Sequence, residues 1–468
     1  MKTNILSLLA LAGLISFAGC ASDDTANKQT EQEPETEGLT SFVEEDNTTR
    51  TTGEYDGSGL NFYWTEGDRL WVNTGTAISP VLKRDRKNNI SDLLVANPAI
   101  PTGVKRAAKA KFWFRGTFTA SSYPVRYTGK NGTKDKVKIK ASQSQTIPND
   151  ASHIGEDGDF AVATATKPVG GGQYLFTLDH KAAYITFMPY TNQGVVAGAK
   201  IQKIRVFTGN TSDALAGTFD LADNGTLSNP TSTSNSVTLT VPNFSIPTTS
   251  TYATNGATMV VNPGTYNNVS IEYTLHDPAT NVTGTITKTY PSVTFTAGRN
   301  KKVKTDLQVK DYSSRVYTSW SSTGASGCPN ANECIWYCMQ GDPHWDNELW
   351  ATLGHLYTGG MWFKKKAKIS GFTSTNYNGT DYRTTYQIFQ NTSITQGKPS
   401  NLNDYFYLPT LGAYGIGMLF DAGSIGDYWS STPDPEDSDF AYYLRFVSGD
   451  VRVLHANTTA GYQLWSAQ

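Results

Sequence analysis

The sequence predicts a mainly β-structured protein of several domains, and three observations carry this prediction. Charged residues make up only 17% of the 468 residues, whereas Thr, Ser, Asn, Gly and Tyr, which favour strands and turns, are plentiful. Most of the chain consists of short apolar and polar alternations separated by turn residues. Its length corresponds to about three domains. The net charge of -2 provides no field that would favour nucleic acid, so we expect no nucleic-acid partner.

The N-terminus has the features of a bacterial lipoprotein signal peptide. Residues 5–18 are almost wholly apolar or small, over a length too short for a membrane span. The run ends in Phe17-Ala18-Gly19-Cys20, which resembles a lipobox. We therefore expect residues 1–20 to be a signal peptide and Cys20 to carry the lipid that holds the precursor in the outer membrane. The alternative is an ordinary signal peptide with an incidental cysteine. Ala21-Ser22-Asp23-Asp24 resembles the surface-export signal of Bacteroidales lipoproteins.

Residues 21–50 predict an acidic, flexible tether that contains one candidate strand. The segment is rich in Asp, Glu, Thr, Gln and Asn, so it buries too little apolar surface to offset its chain entropy. Residues 38–43, Gly-Leu-Thr-Ser-Phe-Val, carry its only sizeable apolar side chains.

Residues 51–172 and 173–310 predict two successive β-sandwiches, with Gly170-Gly171-Gly172 as a break between them. No helical pattern intervenes between the short strands of either block. In the first block the expected strands are 61–64, 67–72, 110–118 and 136–140. In the second they are 174–178, 183–188, 201–208, 237–241, 258–261, 269–275, 283–290 and 301–309.

Residues 311–468 predict an α+β domain with long loops. Pro329 suits the first turn of a helix over residues 330–339, and Trp345-Asp346-Asn347 is expected to cap a second helix through about residue 357. Long loops on a rigid scaffold usually carry binding function. The strands expected in this block are 359–363, 405–408, 428–431, 442–447 and 451–454.

Residues 50 to about 309 resemble the fimbrillin-type (Mfa-like) pilins of Bacteroidales. The likeness lies in the order and spacing of several motifs, and it implies two transthyretin-like β-sandwiches in tandem. These motifs are Arg50-Thr51-Thr52, Trp64-x-x-Gly67-Asp68-Arg69-Leu70-Trp71-Val72, Gln143-Ser144-Gln145, Gly158-Asp159-Phe160 and Phe176-Thr-Leu-Asp-His180-Lys-Ala182-Ala183.

Residues 404–464 resemble the C-terminal modules of Bacteroidetes surface proteins of the Fibrobacter major paralogous type. That resemblance implies a fold similar to C-type lectin domains. Many members have a cysteine near the end of the module, whereas this chain has none after Cys338. The motifs are Asp404-Tyr-Phe-Tyr-Leu408-Pro409, Gly426-Asp-Tyr-Trp429-Ser430-Ser431-Thr432, Ala441-Tyr-Tyr-Leu444-x-Phe446 and Gly461-Tyr462.

The pilin resemblance implies a mechanism of assembly. In that family a trypsin-like protease cuts after an arginine, the first strand leaves, and a donor strand from the next subunit fills the groove. Here the cut would fall between Arg50 and Thr51 and would release residues 38–43; the alternative is that Arg50 is a surface residue of a linker. Because a lectin-like domain stands where a stalk pilin has its own donor strand, we expect a subunit at the tip of the fibre.

Several residues of the third block are candidates for binding. Trp345, Asp346 and Asn347 could stack on and hydrogen-bond a sugar, and the acidic loop with Asp434, Glu436, Asp437 and Asp439 could do so or chelate calcium. The alternatives are a packed tryptophan and a solvated loop.

The remaining chemistry gives no indication of an enzyme. The six histidines are scattered, and no Cys-x-x-Cys pair indicates zinc. Cys328, Cys334 and Cys338 lie in one short window, where a disulfide from Cys328 to one of the pair, buried free thiols, or a metal site are the alternatives.

The sequence therefore predicts a cell-surface pilus subunit, most specifically a tip adhesin. It would bind other pilin subunits through a donor strand and a surface glycan or protein through its last domain. The alternative function is a lipid-anchored surface glycan-binding protein that never polymerises.

Overall fold

The computed structural model describes residues 38–44, 52–96 and 104–466, and its fold is mainly β, as predicted. Strands dominate all three blocks of sequence. Among the described residues, no helix has the length and apolar character needed to cross a membrane. The short helices are Ile90–Leu93, Ile154–Asp157, Gly194–Gly198 and Tyr252–Asn255, with 3-10 turns at Lys366–Lys368 and Leu402–Asp404.

The first block is built on a nine-stranded sheet. In spatial order its strands are Leu82–Arg84, Trp71–Asn73, Ser122–Tyr127, Ala161–Thr166, Tyr174–Phe176, Leu39–Glu44, Lys111–Arg115 and Lys87–Asn88, with Asp179–His180 paired to Ala161–Thr166. Smaller sheets comprise Asp150–Ala151, Thr52–Tyr55 and Leu60–Tyr63, and Val95–Ala96 with Lys105–Arg106.

The Gly67-Asp68-Arg69-Leu70 segment makes a tight turn around a buried carboxylate. Asp68 accepts hydrogen bonds from the Thr65 backbone N–H and from the Tyr127 hydroxyl, both at 2.8 Å. Gly67 has a φ of 89°, which a side chain would disfavour. The turn directs Leu70 into the core of the first block, where it is fully buried.

The boundary between the first two blocks differs from the expectation. Gly170-Gly171-Gly172 lies in the connection between two paired strands, because Thr166 pairs with Leu175. Tyr174–Phe176 therefore lies in the first sheet, not in the second sandwich where the sequence placed it. Conversely, Lys136–Ile139 pairs with Ala216–Leu221 of the second block. From the sequence, strands were assigned to a block by their proximity along the chain. In the structure, each strand belongs to the sheet of its pairing partner, which can be distant in sequence.

The second block consists of three sheets that share one core. Three of its strands, Ser142–Ser144, Ala216–Leu221 and Leu227–Ser234, were not predicted; the last is largely polar and mostly exposed. The first sheet comprises Lys136–Ile139, Ala216–Leu221 and Leu227–Ser234. The second comprises Ser142–Ser144, Ser236–Ser245, Lys200–Thr208, Gly264–Asp277 and Val282–Phe295. The third comprises Ala257–Val261, Ala183–Phe187 and Asn300–Val303.

The third block contains two larger sheets and a hairpin around one helix. The helix is Ala331–Gln340. One sheet comprises Lys310–Asp311, His344–Thr352, His355–Lys364 and Tyr405–Pro409, with Thr395–Gln396 paired to His344–Thr352. The other comprises Tyr317–Thr318, Tyr462–Gln463, Gly426–Pro433, Phe440–Val447, Asp450–Asn457 and Phe389–Asn391, and the hairpin is Ala413–Gly415 with Met418–Phe420.

The first helix predicted in this block is confirmed and has a reciprocal cap. The Asn330 side chain accepts from the Glu333 backbone N–H at 3.1 Å, and the Glu333 carboxylate accepts from the Asn330 N–H at 2.9 Å.

The second predicted helix is wrong. Residues 345–357 form a hairpin between His344–Thr352 and His355–Lys364, with Leu353 and Gly354 both at positive φ, 49° and 81°. Two residues at positive φ make the turn that matches the twist of paired strands. The buried faces of this hairpin contact both the second and third cores, and this burial overrides the local helix-start signal.

The second and third blocks contact each other through that hairpin. Leu349 and Leu356 are buried in the core of the second block, and the Leu356 N–H donates to the Asp277 carboxylate at 2.9 Å. A Cβ on Gly284 would lie 2.7 Å from Leu349 Cδ1, so a larger residue there would require the Leu349 side chain to move.

Candidate functional site

The first strand, Leu39–Glu44, lies in the interior of the nine-stranded sheet. It pairs antiparallel with Lys111–Arg115 on one side and parallel with Tyr174–Phe176 on the other. An interior strand satisfies two rows of backbone groups at once, so its departure would leave an open groove with two unpaired edges. We call the space that it fills the first-strand groove.

Phe42 occupies an aromatic pocket at the centre of this groove. Its ring is stacked on Tyr174, with centroids 4.7 Å apart and an interplanar angle of 12°. Phe114 and Phe118 contact it edge-on, at 4.9 and 5.3 Å. The Tyr174 hydroxyl donates to the carbonyl of Ala120 at 2.6 Å, which fixes the ring on which Phe42 packs. Phe42 is 0% exposed, so this side chain is the main apolar anchor of the strand.

Glu44 adds a polar contact to the same face of the strand. Its carboxylate accepts a hydrogen bond from the indole N–H of Trp64. Glu44 is 1% and Trp64 0% exposed. Phe42 and Glu44 are two residues apart, so both side chains point into the core. The groove therefore combines an aromatic pocket with a buried hydrogen-bond donor.

The opposite face of the strand makes weaker contacts. Ser41 and Val43 are only partly buried, and the Ser41 hydroxyl lies 3.5 Å from the Gln173 side-chain oxygen. The sequence pattern had indicated this strand through its apolar residues. It did not indicate Glu44, Trp64 or Tyr174 as parts of one site, because their contact depends on strands that are distant in the sequence.

Cys20, Arg50 and Thr51 lie outside the described residues. Lipidation of Cys20 and cleavage between Arg50 and Thr51 therefore stay predictions. The described chain resumes at Thr52, the first residue of a strand that pairs with Leu60–Tyr63.

Of the three candidates Trp345, Asp346 and Asn347, the last two line a polar cleft of about 490 Å³ between the second and third blocks, and Trp345 does not. Trp345 itself is 7% exposed, and its indole N–H donates to Asn347 Oδ1 at 2.9 Å. It packs as a core residue and does not offer its face to a ligand.

Asp346 and Asn347 do line this cleft, together with Glu348 and Lys398. The Lys398 ammonium lies 3.3 Å from Glu348 and 3.6 Å from Asp346. Strand residues 285–288 of the second block form the opposite wall. The cleft thus places charged and amide groups of two blocks around one space.

The acidic loop divides into one buried and three other carboxylates. Asp434 is 6% exposed; one of its oxygens accepts from the Glu436 N–H, and the other lies 2.5 Å from His455 Nδ1. Asp437 accepts from the backbone N–H of Asp439 at 2.9 Å. Among the described residues, no group of three or more His, Cys, Asp or Glu side chains is arranged to hold a metal ion. Asp434 and Asp437 thus each bind a backbone N–H of the loop itself.

Cys328, Cys334 and Cys338 are buried free thiols, so the disulfide considered from the sequence is not formed. The Cys338 thiol donates to the carbonyl of Val451 at 3.3 Å, and that of Cys334 lies 3.8 Å from the carbonyl of Pro329. Burial raises the pKa of Cys338 to about 12 and also raises the pKa values of Cys328 and Cys334. Protonated buried thiols are poor nucleophiles and poor metal ligands.

Comparison with known proteins gives similarity to solved structures only; no protein-family model and no curated protein matches the chain. A fimbrial protein from Bacteroides ovatus is 10% identical, with 91% of this chain and 98% of that chain covered and a TM-score of 0.24. A fimbrial assembly protein from Parabacteroides distasonis is 12% identical, with 57% and 90% covered and a TM-score of 0.29.

The fimbrial anchor protein Mfa2 from Porphyromonas gingivalis is also similar, at 12% identity, with 53% of this chain and 82% of that chain covered and a TM-score of 0.20. All three TM-scores are below 0.5. The functional conclusion therefore rests on the residues of the first-strand groove and the sequence motifs.

Proposed function

We propose that this chain is a cell-surface fimbrial subunit that assembles by exchange of its first strand. The observation that carries the proposal is the position of Leu39–Glu44, which fills an interior place in a sheet while lying just before the candidate cleavage site at Arg50. After a cut behind Arg50, the segment that contains Leu39–Glu44 would be held in the groove by strand pairing and side-chain contacts alone. An extended segment of another subunit could then replace it by adding a strand between the two open edges.

The precursor is proposed to reach the surface as a lipoprotein anchored through Cys20. Cleavage after Arg50 would separate that lipid from the rest of the chain. Attachment to the cell would then pass from the lipid to the fibre. In this proposal the lipid directs export, and the groove is the means of assembly.

We further propose that the subunit stands at the tip. The second block runs directly into the third, since Lys310–Asp311 pairs with Trp350 and Ala351. The third block thus follows the second sandwich at the place where the resembling stalk pilins have a donor strand. We propose that the first two blocks are a pair of transthyretin-like sandwiches and that the third block has a C-type-lectin-like fold. We also propose that the third block has an adhesive rather than an enzymatic role.

The assembly proposal is tested by proteolysis of the full precursor. An arginine-specific protease is added, and the new N-terminus is sequenced; we expect Thr51. An Arg50→Ala precursor is the matched control and should stay uncut at this place. Resistance of the unaltered chain at Arg50, or a cut chain that takes up no strand peptide from a pilin, would contradict the proposal and favour the non-polymerising surface protein.

The adhesive role is tested separately on the whole chain. Binding to an array of glycans and to host surface proteins is measured for the unaltered chain and for Asn347→Ala and Lys398→Ala, which alter the polar cleft. We expect both variants to weaken the binding of any ligand found. Equal binding by the variants and the unaltered chain would exclude the polar cleft as the binding site.

A further inference from the structure

The first-strand groove contains one buried polar group that any replacement strand must satisfy. When Leu39–Glu44 leaves, the backbone N–H and C=O groups at the two edges of the groove can bond to those of any extended chain. These hydrogen bonds join main chains and so do not read side chains. The indole N–H of Trp64 is different. Its acceptor is the side chain of Glu44, so a strand with an apolar residue at that position would leave the donor unpaired.

Trp64 cannot turn away to find another acceptor. Its backbone N–H and carbonyl are both bonded to Ala107 at 2.9 Å. Its ring packs against Phe112 and Tyr127, with centroids 4.9 and 6.0 Å away, and the residue is 0% exposed. A buried donor without an acceptor loses its hydration and gains nothing in return.

The aromatic pocket sets the register of the incoming strand. Tyr174, Phe114 and Phe118 surround the ring of Phe42 on three sides. Because alternate residues of a strand share a face, an aromatic side chain seated in this pocket brings the residue two positions later to Trp64. The partly buried positions of Ser41 and Val43 impose no such demand.

We propose that the groove selects strands that carry an aromatic residue followed two positions later by a hydrogen-bond acceptor, with Trp64 as the specificity-determining residue. The partner is thus an extended segment with the pattern aromatic-x-Glu or aromatic-x-Gln, as in Phe42-Val43-Glu44. This inference rests on the proposed strand exchange for its biological setting, and it adds the side-chain chemistry of the partner.

The experiment separates this specificity from natural cleavage at Arg50. A site for an unrelated protease is inserted between Asn47 and Thr48 of the full chain, with Cys20→Ser to keep the protein in solution. After cutting, labelled peptides covering residues 38–45 compete with the resident strand. The peptides carry the native sequence, Glu44→Gln, Glu44→Leu, Phe42→Ala or, as a matched control on the outer face, Ser41→Ala.

We expect the native, Glu44→Gln and Ser41→Ala peptides to bind within about twofold of one another, and the Glu44→Leu and Phe42→Ala peptides to bind about tenfold more weakly or worse. In a Trp64→Phe chain the penalty of the Glu44→Leu peptide should fall to about twofold or less. Equal binding of the native and Glu44→Leu peptides to the native groove, or a penalty that survives Trp64→Phe, would overturn the proposal.

A second measurement keeps the test decisive if Trp64→Phe does not fold. In the cut native chain labelled with ¹⁵N-tryptophan, the Trp64 indole proton should exchange slowly with solvent under the native peptide and faster under the Glu44→Leu peptide. Identical exchange would overturn the proposal. Neither measurement uses the Arg50 site. Failure of cleavage at Arg50 would therefore contradict the proposed function but not the strand specificity.

Discussion

The indole N–H of Trp64 donates a hydrogen bond to the carboxylate of Glu44, which lies twenty residues earlier in the chain, and both side chains are buried. This contact links the first strand to the part of the chain that follows the candidate cleavage site. Together with the aromatic pocket around Phe42, it gives the strand a specific register in the groove. The stability of the uncut protein should depend on the same contacts.

Replacement of Phe42 by Ala should destabilise the first block of the uncut chain by about 3–5 kcal/mol, because it empties an aromatic pocket in the core. The free energy of unfolding is measured by urea titration, followed by tryptophan fluorescence. Ser41→Ala, on the outer face of the same strand, should change it by less than about 0.5 kcal/mol. Similar effects of the two substitutions would show that the strand contributes only backbone pairing.

Asp427 should make the stability of the third block depend on pH. Burial raises the pKa of its carboxyl from 3.8 to about 6, although Arg445 lies 3.6 Å away. The folded state thus binds the proton more tightly than the unfolded state, so the contribution of this group to stability is greatest at low pH and falls as the pH rises from about 4 through about 6.

Asp427→Asn removes this titration. Relative to the native protein, the variant should gain roughly 1–3 kcal/mol of stability as the pH rises from about 4 to about 7. Urea unfolding at both pH values measures the difference. A difference that is independent of pH would contradict the assignment.

The three thiols should be unreactive in the folded protein and reactive after unfolding. Burial raises the pKa values of Cys328, Cys334 and Cys338, and only a thiolate attacks an alkylating or disulfide reagent readily. In a Cys20→Ser chain we expect no labelling by a disulfide reagent at neutral pH, and three labelled thiols in denaturant. One labelled thiol in denaturant would reveal a disulfide instead.

Calcium should leave the thermal stability of the protein unchanged. The Asp434 carboxylate is occupied by His455 and by the backbone of its own loop, and among the described residues no group of acidic side chains is arranged to supply the six to eight oxygen ligands that calcium takes. Melting temperatures are compared in excess calcium and in excess chelator. A higher melting temperature in calcium that disappears in Asp434→Asn would contradict this expectation.

The strands with clear alternation were predictable from the sequence, and so was the capped helix. Lys136–Ile139 has Val137 and Ile139 buried and both lysines exposed, as its alternation indicates. The Asn330 and Glu333 pair caps the helix that follows it. Leu227–Ser234 was missed because it lies at a sheet edge and is mostly exposed, so no apolar pattern marks it. The hairpin at Leu353 was mistaken for a helix because burial of its faces against both cores, a long-range property, overrides the local helix-start signal.

By itself, the sequence determined the mainly β character of the chain and the presence of an apolar strand at residues 38–43, because alternation and composition are local properties. Only the tertiary structure decided where that strand lies and what surrounds it. Tyr174 joins the first sheet and Trp64 meets Glu44 because pairing and burial bring together residues that are far apart in the chain. The site is thus a product of long-range contacts, which no local pattern encodes.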